Sequence, residues 1–121
     1  MAEKLVIMVT HGPDDAELAS IPFVMSIAAL ASDVEVVIGL QGSGVELAVR
    51  GAVDAIEARG FPPLAKLAAD YRELGGRLLV CGPCINARKI DPATHFVDNA
   101  EVVAAARFVA EITSATNALV Y

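Results

Sequence analysis

Only two of the 121 residues are cysteine, and they stand three positions apart in Cys81-Gly82-Pro83-Cys84. The pair follows Arg77 to Val80, which reads as a strand with an apolar run at Leu78 to Val80, and it enters a helical segment reaching to about Lys89. A thiol at the carboxyl end of a buried strand and the amino end of a helix faces unpaired backbone amides, which favour the thiolate. The thiolate is the form that attacks disulfides, persulfides and electrophiles. On this reasoning Cys81 is the nucleophile with the lowered pKa, and Cys84, one turn further on, is the second catalytic thiol. Arg88 adds positive potential, and Gly82 and Arg88 are candidate substrate-binding residues. The competing reading makes both cysteines small buried hydrophobes.

Other chemistry-bearing residues are sparse. His11 closes the first strand and shares a layer with Cys81 if the sheet is parallel. It is a candidate binder or proton donor beside the thiolate, or else a loop histidine with no role. His95 follows Asp91-Pro92 and reads as a surface or interface residue. Zinc held by Cys81, Cys84, His11 and His95 would lack the second closely spaced ligand pair, so no metal and no cofactor are expected. Asp14 and Asp15 suit a helix start. Gly39 to Gly44 does not match GxGxxG and lacks the lysine of a P-loop. It reads as a strand-to-helix turn that shapes the pocket near Cys81.

The elements that must position these residues alternate in type. Leu5 to Val9 is continuously apolar, as in a central parallel strand buried on both faces. Ser20 is expected to N-cap a helix with Pro22 in its first turn, continuing from Phe23 to Ala31 and buried on more than one side. Val34 to Ile38 is a second strand. A short helix opens at Ser43 or Gly44 and runs through Arg50, and 51–60 is mostly connection. Pro62 and Pro63 open a helix over Leu64 to Leu74, ended by Gly75-Gly76. A third strand runs from Arg77 to Cys81. After Asp91-Pro92 come a fourth strand at Glu101 to Val103, a helix from Ala104 to Thr113 and a last strand at Ala118 to Tyr121. The alternation predicts a single α/β domain over residues 1–121, with three α/β/α layers and a mostly parallel sheet of about five strands.

Composition narrows the function classes. The formal charge is -6, and the only adjacent basic pair is Arg88-Lys89, which argues against nucleic-acid binding. The longest uncharged stretch, Leu18 to Ser32, is too short to span a bilayer, and no targeting signal is visible, so a soluble cytoplasmic protein is expected. In a reducing compartment a CxxC pair is more often chemical than structural. With 55% hydrophobic residues, so short a chain has an apolar surplus that points to surface hidden in an oligomer.

The tetrapeptide CGPC is also the one thioredoxins carry, but the resemblance stops there. This chain has no Trp, has Val80 before the motif, and leaves too little sequence after it for the second half of that fold. The whole chain instead resembles the DsrE/DsrF-like sulfur-relay family. The likeness runs through Leu5 to Asp15, the Ala-rich segment after it, Val37 to Gly44, a helix ending in Gly-Gly, Leu78 to Cys81 with Arg88 beyond, and Asp98 to Val103 before the last helix and strand. It implies small α/β subunits that assemble as homotrimers or homohexamers and work with sulfur-donor and sulfur-carrier proteins. It also implies that Cys81 accepts sulfane sulfur as a persulfide and passes it to an acceptor thiol, making the chain a possible sulfurtransferase or sulfur carrier. Two departures stand out. Cys84 is an additional thiol, able to resolve a Cys81 persulfide, and Arg88-Lys89-Ile90 stands where relatives often have an Arg-Gly step. A dithiol–disulfide redox protein and a non-enzymatic oligomeric binding protein remain the alternatives.

Overall fold

A computed structural model describes residues 3–121. Five strands form one sheet: β1 (Lys4–Val9), β2 (Glu35–Leu40), β3 (Arg77–Cys81), β4 (Ala100–Val103) and β5 (Asn117–Val120). Their order is β4-β3-β2-β1-β5, and every neighbouring pair is parallel. The helices are α1 (Ala16–Ala31), α2 (Leu64–Glu73), α3 (Gly82–Ala87), α4 (Pro92–His95) and α5 (Ala105–Thr113). Two 3₁₀ segments, Gly42–Ala48 and Ala52–Ala55, lie between β2 and α2.

The handedness of parallel crossovers sets the layers. From β1 to β4 the chain adds strands in one direction, so right-handed connections put the intervening helices on one face. The step from β4 to β5 goes back past β1, which sends α5 to the other face. The side chains follow this division. Ile7, Val9, Ile38, Leu40, Leu78 and Val80 pack with Phe23 of α1 and with Leu64 and Tyr71 of α2. Val6, Met8, Leu79 and Val103 pack with Phe108 of α5. One short helix therefore covers the second face of five strands. On that side α5 and β5 leave Val109, Ile112 and Val120 exposed, Val120 at 72%.

Most expected elements form, with shifted ends. The largest difference is at α1. Asp15, not Ser20, caps this helix by accepting from the Leu18 amide at 3.0 Å. The start therefore moves five residues earlier, because an Asp carboxylate at the end of the His11–Asp15 loop can satisfy the first free amides. Ser20 lies inside the helix, fully buried and without a hydrogen-bond partner for its hydroxyl. Pro22 is also internal, and the Ser26 hydroxyl donates to its carbonyl at 2.7 Å. The segment Phe23 to Ala31 buries Phe23 and Ser26 but exposes Met25. Much of the surplus apolar surface thus lies on α5 and β5. Among the described residues no helix is long and apolar enough to cross a membrane.

Two contacts hold the start of β3. Phe23 and Tyr71 meet edge to face at 5.6 Å, and the Tyr71 hydroxyl donates to the Arg77 carbonyl at 2.5 Å. The turn after β2 is held as firmly. Gly44 lies so close to β1 that a Cβ there would collide with the backbone carbonyl of Val9, which cannot swing aside as a flexible side chain can. Gly44→Ala should therefore cost about 1–3 kcal/mol as the 3₁₀ segment is pushed off the strand. Urea unfolding measures this, and a midpoint equal to the parent's would contradict the packing described.

Candidate functional site

β3 delivers Cys81 to the carboxyl edge of the sheet. Leu78, Leu79 and Val80 are buried, and pairing with β2 on one side and β4 on the other fixes the strand's register, with Cys81 opposite Val103. Chain direction changes at once, with Cys81 as the N-cap of α3 and Pro83 in the first turn, where its missing N–H does no harm. Cys84 is the third residue of that helix. One turn brings its Sγ to 2.7 Å from Cys81 Sγ, with the Cys84 thiol as donor. Both cysteines are free and half-buried.

The turn after β2 supplies a third group. Gly42 adopts φ +54°, a left-handed conformation that suits glycine, and its N–H donates to Cys84 Sγ at 3.3 Å. The Gln41 amide donates to the Val9 carbonyl at 3.0 Å and the Gly44 amide to the Gln41 carbonyl at 2.9 Å, so this donor is mounted on the end of β1. Sequence reasoning placed the Gly39 to Gly44 turn near the thiols but missed the amide that touches one. The available signal was a glycine two residues beyond a strand end, where a turn can use positive φ.

Arg88 closes α3 and its Nη1 donates to the Cys84 carbonyl at 3.2 Å. Lys89 takes φ +57°, and the Ile90 amide reaches back to the Ile85 carbonyl at 3.0 Å. This is the helix ending that usually uses glycine. Lysine at this step therefore adopts the left-handed conformation that glycine takes more easily. Gly82 is half-buried beside β4, where an added Cβ would sit in ordinary contact, 3.5 Å from Val102 Cγ1 and the Val103 carbonyl.

His11 is less intimate with the thiols. Its Nδ1 lies 2.7 Å from Asp14 Oδ2, and the Gly12 amide donates to the other Asp14 oxygen at 2.8 Å. Those two hydrogen bonds, His11 first, hold the Asp14 carboxyl below its ordinary value. Among the described residues no hydrogen bond joins His11 to either sulfur. His95 is exposed on α4 and its ring nitrogen faces its own turn at Asp91. The structure thus brings together Cys81, Cys84, Gly82 and Arg88, adds Gly42, and leaves both histidines engaged locally. A pocket of about 280 Å³, lined in part by Phe23, Ala68, Arg72 and Val97, borders neither cysteine.

The electrostatics of Cys81 run opposite to the sequence expectation. Burial raises its pKa, and the hydrogen bond from Cys84 and the proximity of a second sulfur raise it further; the Cys84 amide and the Arg88 charge oppose this to a smaller extent. The physical reason is that the strand end that holds Cys81 removes it from water, and only the Cys84 amide and the Arg88 charge act against that.

Comparison with known proteins identifies the lineage. The sequence pattern of the DsrE/DsrF-like family matches residues 3–121, and the chain belongs to that family. The uncharacterized protein MJ0760 of Methanocaldococcus jannaschii is 33% identical over 79 residues, which are 65% of this chain and 29% of that protein. The matched segment thus spans less than a third of that curated relative's length. The fold is that of the ychN protein from E. coli, with TM-score 0.80 and 17% identity over 98% of this chain and 99% of that one. The protein of unknown function MTH1491 from Methanobacterium thermoautotrophicum is similar at TM-score 0.67 and 15% identity, over 98% and 99% of the two chains.

The raised pKa has a direct consequence for reactivity. Alkylation of Cys81 by iodoacetamide should climb about tenfold per pH unit through neutrality, with its midpoint above that of a free thiol. Cys84→Ala removes the hydrogen bond and the second sulfur, so the Cys81 midpoint should move down. Peptide-resolved alkylation against pH checks both, and a parent Cys81 midpoint below the free-thiol value would contradict the account.

Proposed function

We propose that this DsrE/DsrF-like chain handles sulfane sulfur at Cys81, accepting it as a persulfide and passing it to an acceptor thiol. The observation that carries the reading is the placement of Cys81, the last residue of a doubly paired strand at the sheet's carboxyl edge, with Arg88 one turn beyond Cys84. Family membership supports the same role. The Cys81 thiolate attacks the terminal sulfur of a donor persulfide; a new S–S bond forms at Cys81 Sγ, the donor's S–S bond breaks, and the donor leaves as its thiolate. An acceptor thiolate then attacks the outer sulfur, forms its own persulfide and returns Cys81 as thiolate. No metal or cofactor is needed for either displacement. Two free thiols suit a reducing, cytoplasmic setting.

A second reading, a dithiol–disulfide redox protein, draws its support from the 2.7 Å separation of the sulfurs. The readings differ in what the protein carries away. A sulfur carrier gains the mass of one sulfur atom from a persulfide donor, whereas a redox protein loses two hydrogens.

Assembly belongs to the same proposal. A parallel sheet requires cover on both faces, and α5 alone shields the second one, so Val109, Ile112 and Val120 suit burial against further copies. The partners we infer are therefore copies of this chain, as a homotrimer or homohexamer, and sulfur-donor and sulfur-carrier proteins. The acidic charge disfavours nucleic acid as a partner.

Two measurements test this. Intact mass spectrometry after treatment with a low-molecular-weight persulfide should show one added sulfur on the parent and none on Cys81→Ser; equal loading of the two would sink the assignment. Light scattering at micromolar concentration should give three or six times the chain mass, and a monomer would contradict the assembly.

A further inference from the structure

The sulfur-relay reading uses one thiol, and the second stands within bonding reach of it. We propose that Cys84 is a resolving thiol: sulfur loaded on Cys81 that no acceptor takes is expelled as sulfide, and the two cysteines close to a disulfide. The inference rests on the persulfide reading above and assigns a product and a time limit to the same site.

Three observations carry it. The Sγ atoms are 2.7 Å apart, so the shift needed to reach a disulfide's length of about 2.0 Å is under 1 Å. The Cys84 sulfur also receives the Gly42 N–H at 3.3 Å, a contact from outside α3 that fixes where the sulfur sits. Finally, that amide is not adjustable: Gly42 is clamped through Gln41 and Gly44 to the end of β1, so the Cys84 sulfur is held toward its neighbour. Simple packing of two small side chains would not require a backbone donor mounted on a different strand.

The step balances without an outside redox agent. Loading leaves Cys81 as Sγ–SH. The Cys84 thiolate attacks Cys81 Sγ, the Sγ–Sγ bond forms, the bond to the outer sulfur breaks, and that sulfur departs with the electron pair as hydrosulfide. The outer sulfur is reduced and the two cysteines are oxidised. A dithiol reductant reopens the pair for the next cycle. Transfer to an acceptor and expulsion as sulfide therefore compete for one persulfide. A single-cysteine carrier has no such exit, and its persulfide waits for its acceptor.

Glutathione persulfide is a suitable probe, because attack on its outer sulfur releases glutathione rather than sulfide. The parent should release about one sulfide per chain and lose two hydrogens in mass, with the added sulfur seen only at early times. Cys84→Ser should retain the added sulfur and release sulfide at least ~10-fold more slowly, since the intramolecular attack is lost. Cys84→Ala repeats the comparison without a hydroxyl, and circular dichroism confirms that each variant is folded. A parent persulfide as long-lived as that of Cys84→Ser overturns the inference while leaving the carrier reading intact. A glutathione adduct on Cys84→Ser, in place of a single sulfur, also overturns it, because sulfide would then come from a mixed disulfide. Absence of sulfur uptake by parent and variants alike refutes the carrier reading, and this inference falls with it.

Discussion

The double pairing of β3 is the constraint from which the site follows. Its residues Leu78, Leu79 and Val80 are buried between two neighbouring strands and beneath helices on both faces, each worth about 1.5–3 kcal/mol relative to exposure. A slip of one residue would turn Leu78 and Val80 to the opposite face, so the register is fixed by burial. The consequence is that Cys81 can end nowhere but at the carboxyl edge of the sheet. Tyr71 secures the other end of the strand, with its hydroxyl on the Arg77 carbonyl and its ring against Phe23. The position of the thiol is thus set by hydrophobic packing in which the sulfur has little part.

Two backbone turns then decide what the thiol meets. One is α3, whose first turn carries Cys84 back over Cys81 and whose Cys84 amide offsets only part of the effect of burial. The other is the turn after β2, brought to the same edge by the parallel pairing of β2 with β3. Gly44 permits that turn to touch β1, and Gly42 spends its left-handed conformation on aiming an N–H at Cys84. The outcome is a thiol pair of uneven surroundings, with Cys81 more deeply held by the strand and Cys84 contacted by a donor from another strand. Burial and the proximity of the second sulfur together hold the Cys81 pKa up, and close spacing compensates by raising the local concentration of each sulfur for the other.

Much of this was legible in the sequence, for identifiable reasons. Apolar strands buried on both faces give runs such as Leu5 to Val9 that need no context, and the order of elements limits the topology to a parallel α/β sheet. The thiols were evident from composition, and Gly-Gly before Arg77 marked the end of α2. The start of α1 was misplaced because Ser20 before Pro22 imitates a helix start, whereas the tertiary structure tolerates a proline within the helix and uses Asp15 as the cap. The direction of the Cys81 pKa was misjudged because the burial of a strand end and the approach of the Cys84 sulfur are tertiary facts. Likewise the Gly42 contact joins residues 42 positions apart, and no local pattern encodes such a pairing. At Lys89, where the familiar step is Arg-Gly, the chain takes a left-handed conformation with a side chain that rarely adopts it.

The central claim is that sulfur enters this protein at Cys81, within a pair whose second member limits its stay. It is tested most directly by supplying a persulfide labelled with heavy sulfur in the sulfane position and locating the label by fragmentation of the peptide that contains both cysteines. The account predicts that the label appears first on Cys81 and then in released sulfide or on an added acceptor thiol. Label confined to Cys84, or a protein that never carries it, would contradict the account.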